Sequence, residues 1–403
     1  MKMRNTAFAL LVAVAGVASA QVVADGALTG EGEKTLFERV AKIEKKSEKF
    51  NLFFNMHYAF DADFTAGNFE QGAFNMHQFR IEAKGKITDW LSYRWRQRLN
   101  RDNDGGGFID NLPNSIDLAY LNFSVTDKFS ISAGKLCAAY GGIEFDMNPI
   151  EIYRYSEMVN NMSNFMSGVT FTYDFTPNQQ LAFQVLDSRN GLQDSVYGKN
   201  LPSNKLPLVY TLNWNANMFD GAWQTRWSAS VMDEVKDKYM YYVAIGNQFN
   251  FSPKCNMFVD LMSSYEEVDR KGIMTNMFGG RRNFNAHNMY NTLYNSLVAK
   301  VNWRFHPKWN FFAKGMLESA AIYRGKDNMS DYSGEKEVAD GNYRTSVGYV
   351  TGVEYYPMKS NLHLFLTFVG QTHLFTERAK ALGESDYSTQ RVSVGFIYQL
   401  PVF

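Results

Sequence analysis

Arg94, Arg96 and Arg98 stand two residues apart in this 403-residue chain, and Arg80 and Lys84 share their even spacing upstream. In an extended chain, residues two apart lie on one face, about 7 Å from step to step. The row is therefore a ladder of positive groups, with only Glu82 among them. Guanidinium forks hold phosphate or carboxylate through paired hydrogen bonds. In a confined passage such a row raises the local anion concentration and hands an anion along. The same arginines can instead pair with acids from loops or neighbouring strands and hold a wall together. The two roles are compatible.

A second group lies in the stretch 137–166. It holds Glu144, Asp146, Glu151 and Glu157 against one base, Arg154, among Tyr140, Tyr153 and Tyr155. Tyrosines there either stack on sugar rings or pack the loop in place. Opposed to the basic row, the acids would set a field across a pore, ordering water and favouring small polar solutes over apolar ones. Catalysis has little support. The six histidines, His57, His77, His287, His306, His363 and His373, are scattered, and none sits in a nucleophile motif. His57 and His77 are too far apart, and too patternless, for a ligand pair. No Gly-rich phosphate loop occurs. No catalytic residue, metal or cofactor is expected.

The elements that must carry these groups follow from a period of two that begins at Phe50. Leu52, Phe54, Met56, Tyr58 and Phe60 alternate with Asn51, Asn55, His57 and Asp61, and Leu91, Tyr93 and Trp95 with Ser92, Arg94 and Arg96. Tyr343, Val347, Tyr349 and Val353 alternate with Arg344, Ser346, Gly348 and Glu354. Such alternation gives each strand one apolar and one polar face. It predicts sixteen strands, over 50–64, 72–86, 90–100, 115–125, 129–136, 167–176, 179–187, 206–217, 221–231, 238–251, 256–266, 289–305, 308–322, 342–356, 361–375 and 388–403. Short turns such as Thr176-Pro177-Asn178 alternate with loops at 65–71, 101–114, 137–166, 188–205, 232–237, 267–288, 323–341 and 376–387. On the inward face outside the ladder, the bases Arg226, Lys300, Arg304, Lys314, Arg344 and Arg391 nearly match the acids Asp117, Asp174, Asp260, Glu266, Glu318 and Glu354.

Composition agrees. Forty-one Lys+Arg balance 41 Asp+Glu, so a nucleic-acid binder working by bulk positive charge is excluded. Aromatics reach 15% while mean hydropathy is only −0.33. A soluble β-sandwich would fill its core with Leu, Ile and Val. Here Trp90, Phe129, Phe175, Phe219, Phe251, Phe305, Trp309, Tyr355 and Tyr356 sit near strand ends, where a membrane interface takes aromatic side chains. The expected fold is all-β, a 16-stranded antiparallel transmembrane β-barrel with a short N-terminal helical segment.

Residues 1–20 read as a signal peptide: Lys2 and Arg4, an apolar stretch from Phe8 to Val17, and Ala18-Ser19-Ala20 before Gln21. Residues 21–49 form a periplasmic linker in which Leu36, Val40 and Ile43 mark a short amphipathic helix or, equally, a solvated charged linker. The barrel occupies 50–403. Cys137 and Cys255 fall at opposite ends of this layout, so no disulfide is expected.

Phe79-Arg80-Ile81-Glu82-Ala83-Lys84-Gly85-Lys86 with Ile87 to Tyr93, Asp117-Leu118-Ala119-Tyr120-Leu121 and Gly134-Lys135-Leu136 resemble the phosphate-selective porin family. The run Tyr93-Arg94-Trp95-Arg96-Gln97-Arg98-Leu99-Asn100 looks closest to its Bacteroidetes branch. Specific matches cover about 74–157; the remainder agrees in layout. The resemblance implies trimers and transport across a Gram-negative outer membrane. It maps an anion-guiding ladder onto Arg94, Arg96 and Arg98. The family's phosphate channels add lysines and arginines at the constriction, and the loop 137–166 lacks them.

The expected role is a porin for passive diffusion of small polar solutes and ions with weak anion preference. Arg80, Lys84, Arg94, Arg96, Arg98, Glu144, Asp146, Glu151, Tyr153, Arg154 and Tyr155 would line the pore. The loop 137–166 either folds inward to set the constriction or stays at the surface. A substrate-specific channel for phosphate, other anions or oligosaccharide, and a structural or adhesive barrel, are the alternatives. Expected partners are a homotrimer, outer-membrane lipid and lipopolysaccharide, and small polar or anionic solutes, with no nucleic acid.

Overall fold

A computed structural model describes residues 49–101, 110–189, 191–358 and 362–402. The signal peptide, and the linker and helix assigned to 21–49 apart from Lys49, lie outside the described residues. Sixteen strands follow in order: β1 Asn51–Thr65, β2 Asn68–Thr88, β3 Leu91–Arg98, β4 Ile116–Ser124, β5 Phe129–Cys137, β6 Phe165–Thr176, β7 Gln179–Asp187 and β8 Leu208–Met218. Then come β9 Trp223–Asp233, β10 Tyr239–Ser252, β11 Cys255–Val268, β12 Tyr290–His306, β13 Trp309–Ile322, β14 Gly341–Tyr355, β15 Leu362–Phe375 and β16 Tyr387–Pro401. Each pairs with its sequence neighbours, and β1 pairs antiparallel with β16 from Phe53↔Pro401 to Thr65↔Thr389, closing the barrel. Closure satisfies every strand edge, which a sheet spanning lipid requires.

Alternation is inverted relative to a soluble protein. In β10, Tyr239, Tyr241, Val243 and Ile245 are exposed while Met240, Tyr242 and Ala244 are buried. In β11, Leu261 is exposed and Asp260 has no exposure. An apolar outer face over a charged inner one is stable only against hydrocarbon. Trp90, Phe219, Phe251, Phe305 and Trp309 are exposed near strand ends. Tyr356, expected among them, turns inward instead: it is buried, donates to Glu354 Oε2 at 3.0 Å and carries Arg304 over its ring.

Three irregularities re-aim side chains. A register shift between His57 and Tyr58 in the β1–β2 ladder brings both His77 and Gln78 to the inner side. A shift between Arg96 and Gln97 in β3–β4 turns Asp117 inward beside Leu118. One between Ala320 and Ala321 buries Tyr343 next to Arg344, against the outward position its alternation suggested. A bulge adds one residue and so flips the parity beyond it. The expected loop 65–71 is also shorter than it reads. β1 and β2 pair to Thr65↔Asn68, leaving Ala66 and Gly67 at φ 50° and 83°. Positive φ at both positions suits the tight hairpin turn that matches strand twist.

The lumen is not uniformly polar, as simple alternation implied. Inner faces of β11 to β13 alternate apolar with charged groups: Phe258, Asp260 and Met262; Val298 and Lys300; Phe312, Lys314, Met316 and Glu318. The apolar members join Met158 and Met162, and Met274, Met277, Phe278 and Phe284 of the loop 269–289, in one buried cluster. Methionine's flexible thioether suits such irregular loop-to-wall packing. Cys137 and Cys255 are free thiols at opposite ends of their strands.

Candidate functional site

The segment after β5 runs along the inner wall, fixed by a sequence of hydrogen bonds. Ala139 N donates to Gln184 Oε1 at 2.7 Å, Ser228 Oγ donates to Tyr140 O, and Gly142 N to Arg226 O at 3.0 Å. A Cβ on Gly141, whose φ is +70°, would sit 2.8 Å from Ser228 Oγ, so glycine lets the chain press on β9. Asp260 then receives Ile143 N and Glu144 N, each at 2.8 Å. Further on, Glu318 accepts Glu157 N at 2.8 Å and Met158 N at 3.0 Å. These wall carboxylates satisfy loop N–H groups that would otherwise be buried without partners.

The loop's acids are occupied in turn. Glu144, without exposure, accepts Ser156 N at 2.9 Å, Ser156 Oγ at 2.6 Å and Lys314 Nζ. Asp146 pairs with Arg226 Nε at 2.8 Å, and Glu157 with the Arg344 guanidinium at 2.6 Å. Glu151 is buried in a single 3-10 turn, Pro149–Glu151, capped by Asn148. Tyr153 donates to Glu354 Oε1 at 2.9 Å and stacks on Phe312, centroids 5.0 Å apart and planes 4° apart. Burial raises the Glu157 carboxyl above its ordinary range, against the pull of Arg344. The expected field between acidic loop and basic ladder is thus weakened at its source, because the acids pair with β9, β13 and β14.

The arginines on β2 and β3 form two sets. Asp117 Oδ2 lies 3.2 Å from Arg80 and 3.4 Å from Arg96 Nε, while Oδ1 lies 2.8 Å from Arg98 Nε. Arg94 Nε meets Glu82 Oε1 at 2.9 Å, and Glu82 also receives Asn55 at 3.3 Å. Arg96 and Arg98 lie over the Phe165 ring, and Lys84 over that of Phe53. Five bases against two acids leave this wall positive. Tyr155 of the loop is close enough for Arg80, Arg96 and Arg98 to act on its phenol; burial nevertheless pushes it up to about 12.

Between loop residues 152–161 and β1, β2, β15 and β16 lies a cavity of about 330 Å³. His57, His77, Tyr153, Arg154, Glu157 and Arg391 line it. Burial, and Arg391 beside it, lower the Arg154 pKa. The structure therefore gathers Tyr153, Arg154 and Tyr155 at one opening, sets Arg80 and Arg94 to Arg98 on adjoining strands, and sends Glu144 and Asp146 to the far wall. Sequence reading counted Asp117 among inward acids but missed it as the shared counter-ion of three arginines, because a bulge delivers it. It also missed His77 at the cavity, for the same reason. Among the described residues no group of three or more His, Cys, Asp or Glu side chains is placed to hold a metal.

A closed sixteen-stranded barrel, apolar outside and charged within, with a loop against its inner wall, defines an outer-membrane channel of the porin class. The family model for phosphate-selective porin O and P matches residues 50–400, and the chain belongs to that family. Its location is the Gram-negative outer membrane. No curated protein matches the sequence. Among solved structures it is similar to the outer-membrane channel DcaP of Acinetobacter baumannii (12% identity, covering 88% of this chain and 99% of that one, TM-score 0.56). It is also similar to OmpT of Vibrio cholerae (11%, 88% and 99%, 0.53) and to an anion-selective porin from Comamonas acidovorans (10%, 87% and 99%, 0.52). At these identities the likeness is one of fold.

Proposed function

We propose that the chain is a passive-diffusion porin for small polar solutes with a weak preference for anions, and that the loop 137–166 sets its narrowest section. The observation that carries this reading is the wall of β2 and β3. Arg80, Lys84, Arg94, Arg96 and Arg98 outnumber Glu82 and Asp117, so the wall keeps an excess of positive charge after its ion pairs form. Confined positive charge lowers the barrier for anions. The excess is modest and the loop brings one base, Arg154, which supports preference rather than strict selection. Reversal potentials of the purified protein in planar bilayers test this. Anion preference is expected, with a shift toward cations when Arg94, Arg96 and Arg98 are replaced by Ala. A closed barrel, or unchanged selectivity in that variant, would sink the proposal.

A homotrimer is the second part of the reading. OmpT of Vibrio cholerae, a fold relative, is described in a trimer form. A heat-modifiable band of trimer mass on unboiled gels is expected, and monomer alone would refute it.

A further inference from the structure

The cavity beside the loop carries features that simple anion diffusion does not use. Arg154 makes no side-chain hydrogen bond or ion pair among the described residues. Among the described residues Arg391 donates to Tyr153 O at 3.2 Å, and its buried Nε lies 3.9 Å from Asp61 Oδ1, without a hydrogen-bond partner. Two guanidiniums thus meet in one opening while the neighbouring carboxylates are engaged elsewhere. Glu157 pairs with Arg344, and Asp61 receives Ser393 at 2.5 Å, Asn75 at 2.7 Å and His77 at 2.9 Å. The floor is built of rings. Tyr153 and Phe365 lie edge to face at 4.9 Å, His57 and Phe365 at 5.2 Å, and His57 and Tyr153 at 5.6 Å. His57 is 3% exposed, lines the cavity, and its Nδ1 has no hydrogen-bond partner.

We propose that this cavity is a binding subsite for a small organic acid, one carboxylate on a ring, with the carboxylate between Arg154 and Arg391 and the ring on the His57, Tyr153 and Phe365 floor. The inference rests on the channel reading and names a solute class for it. Two guanidiniums at one opening suit a single planar carboxylate. An inorganic phosphate dianion gains nothing from the rings. At about 330 Å³ the cavity has the size of an organic-ligand site, for which roughly 300 Å³ is the lower bound. His57 Nδ1 supplies a partner for a ring hydroxyl or, through water, for the carboxylate.

Two measurements test the subsite. In chloride solution, millimolar benzoate and glucuronate are each added to single channels, with phosphate at equal concentration beside them. Block by one or both ring acids and weaker block by phosphate is expected; the arm that blocks says whether the ring is aromatic or a sugar. Equilibrium dialysis of labelled benzoate and labelled glucuronate against the detergent-solubilised full chain reads binding without conduction. In both assays Arg154→Gln and Arg391→Gln should each weaken the interaction about tenfold, the loss of one charged hydrogen-bonding partner. Phosphate blocking as well as either acid, no binding of either acid in dialysis, or binding unchanged in both variants overturns the subsite. A non-conducting protein that still binds a ring acid, with loss in the variants, would refute diffusion and keep the subsite.

Discussion

Asp117 draws three guanidiniums onto one carboxylate that has no exposure. On the proposed reading, its charge sets how much of the ladder a passing anion would feel. With Asp117→Asn the wall gains one positive charge and loses its tie. Anion preference should rise in reversal-potential measurements, while stability falls by about 3–5 kcal/mol, the cost of breaking a buried ion pair. Urea unfolding of the barrel checks the second effect. A changed stability with unchanged selectivity would mark these arginines as wall structure only. Glu157 offers a pH-dependent counterpart. Burial raises its pKa, so on acidification it loses its charge before an ordinary glutamate does. The charge that Glu157 sets against Arg344 and Arg154 is then removed. Selectivity should therefore drift toward anions as pH falls from neutral, and Glu157→Gln should show the acid-side selectivity at neutral pH and lack that drift. An equal drift in the variant would assign the titration to another group.

The loop is held by wall carboxylates that accept its backbone N–H groups. Asp260 takes two at 2.8 Å, and Glu318 two more. In Asp260→Ala two buried donors lose their acceptor, at about 1–3 kcal/mol each. The loop near Gly141 and Gly142 should detach from β9 and β11. Larger and noisier single-channel conductance is expected, with faster proteolysis between 139 and 147 in intact membranes. Conductance like that of the parent would mean that the loop does not limit flow. The ladder and the loop answer to different parts of the sequence: the ladder is local, on a hairpin, while Glu144 finds Lys314 across 170 residues.

At the scale of the molecule, charge is sorted by face. The chain's 41 bases and 41 acids balance in total, yet the mid-wall outer residues are apolar, as at Leu212, Leu261 and Leu317. Leu261 lies near the middle of β11 and faces outward. Leu261→Arg should cost about 2–4 kcal/mol in folding into bilayers, read by urea titration, because the charge would sit in hydrocarbon. A neutral effect would place this face against protein rather than lipid. The inner side is divided. Polar groups line β1 to β3, whereas the wall from β10 to β15 shares an apolar, methionine-rich cluster with the loops. The open cavity therefore lies on the β16–β1–β2 side, next to the ladder.

The sequence by itself determined the strands, their number and most of their inward faces. Period-two alternation is a local property of the chain, and side-chain direction in a strand follows from backbone geometry alone. Expected strand bounds fall within about two residues of those found, except at the start of β2, where Asn68 to Gln71, mostly polar, continue the ladder although they read as loop. The tertiary structure decided what each inward charge does. Single inserted residues near His77, Asp117 and Tyr343 reverse parity without any mark in composition, since a bulge is fixed by the partner strand. Pairings such as Glu144 with Lys314, Asp146 with Arg226 and Tyr153 with Glu354 join segments far apart in the chain, and they exist only because closure brings opposite walls within reach of one loop. Spacing could show that arginines line a wall; a bulge between neighbouring strands decided that three share Asp117, and closure set Arg154 and Arg391 at one cavity.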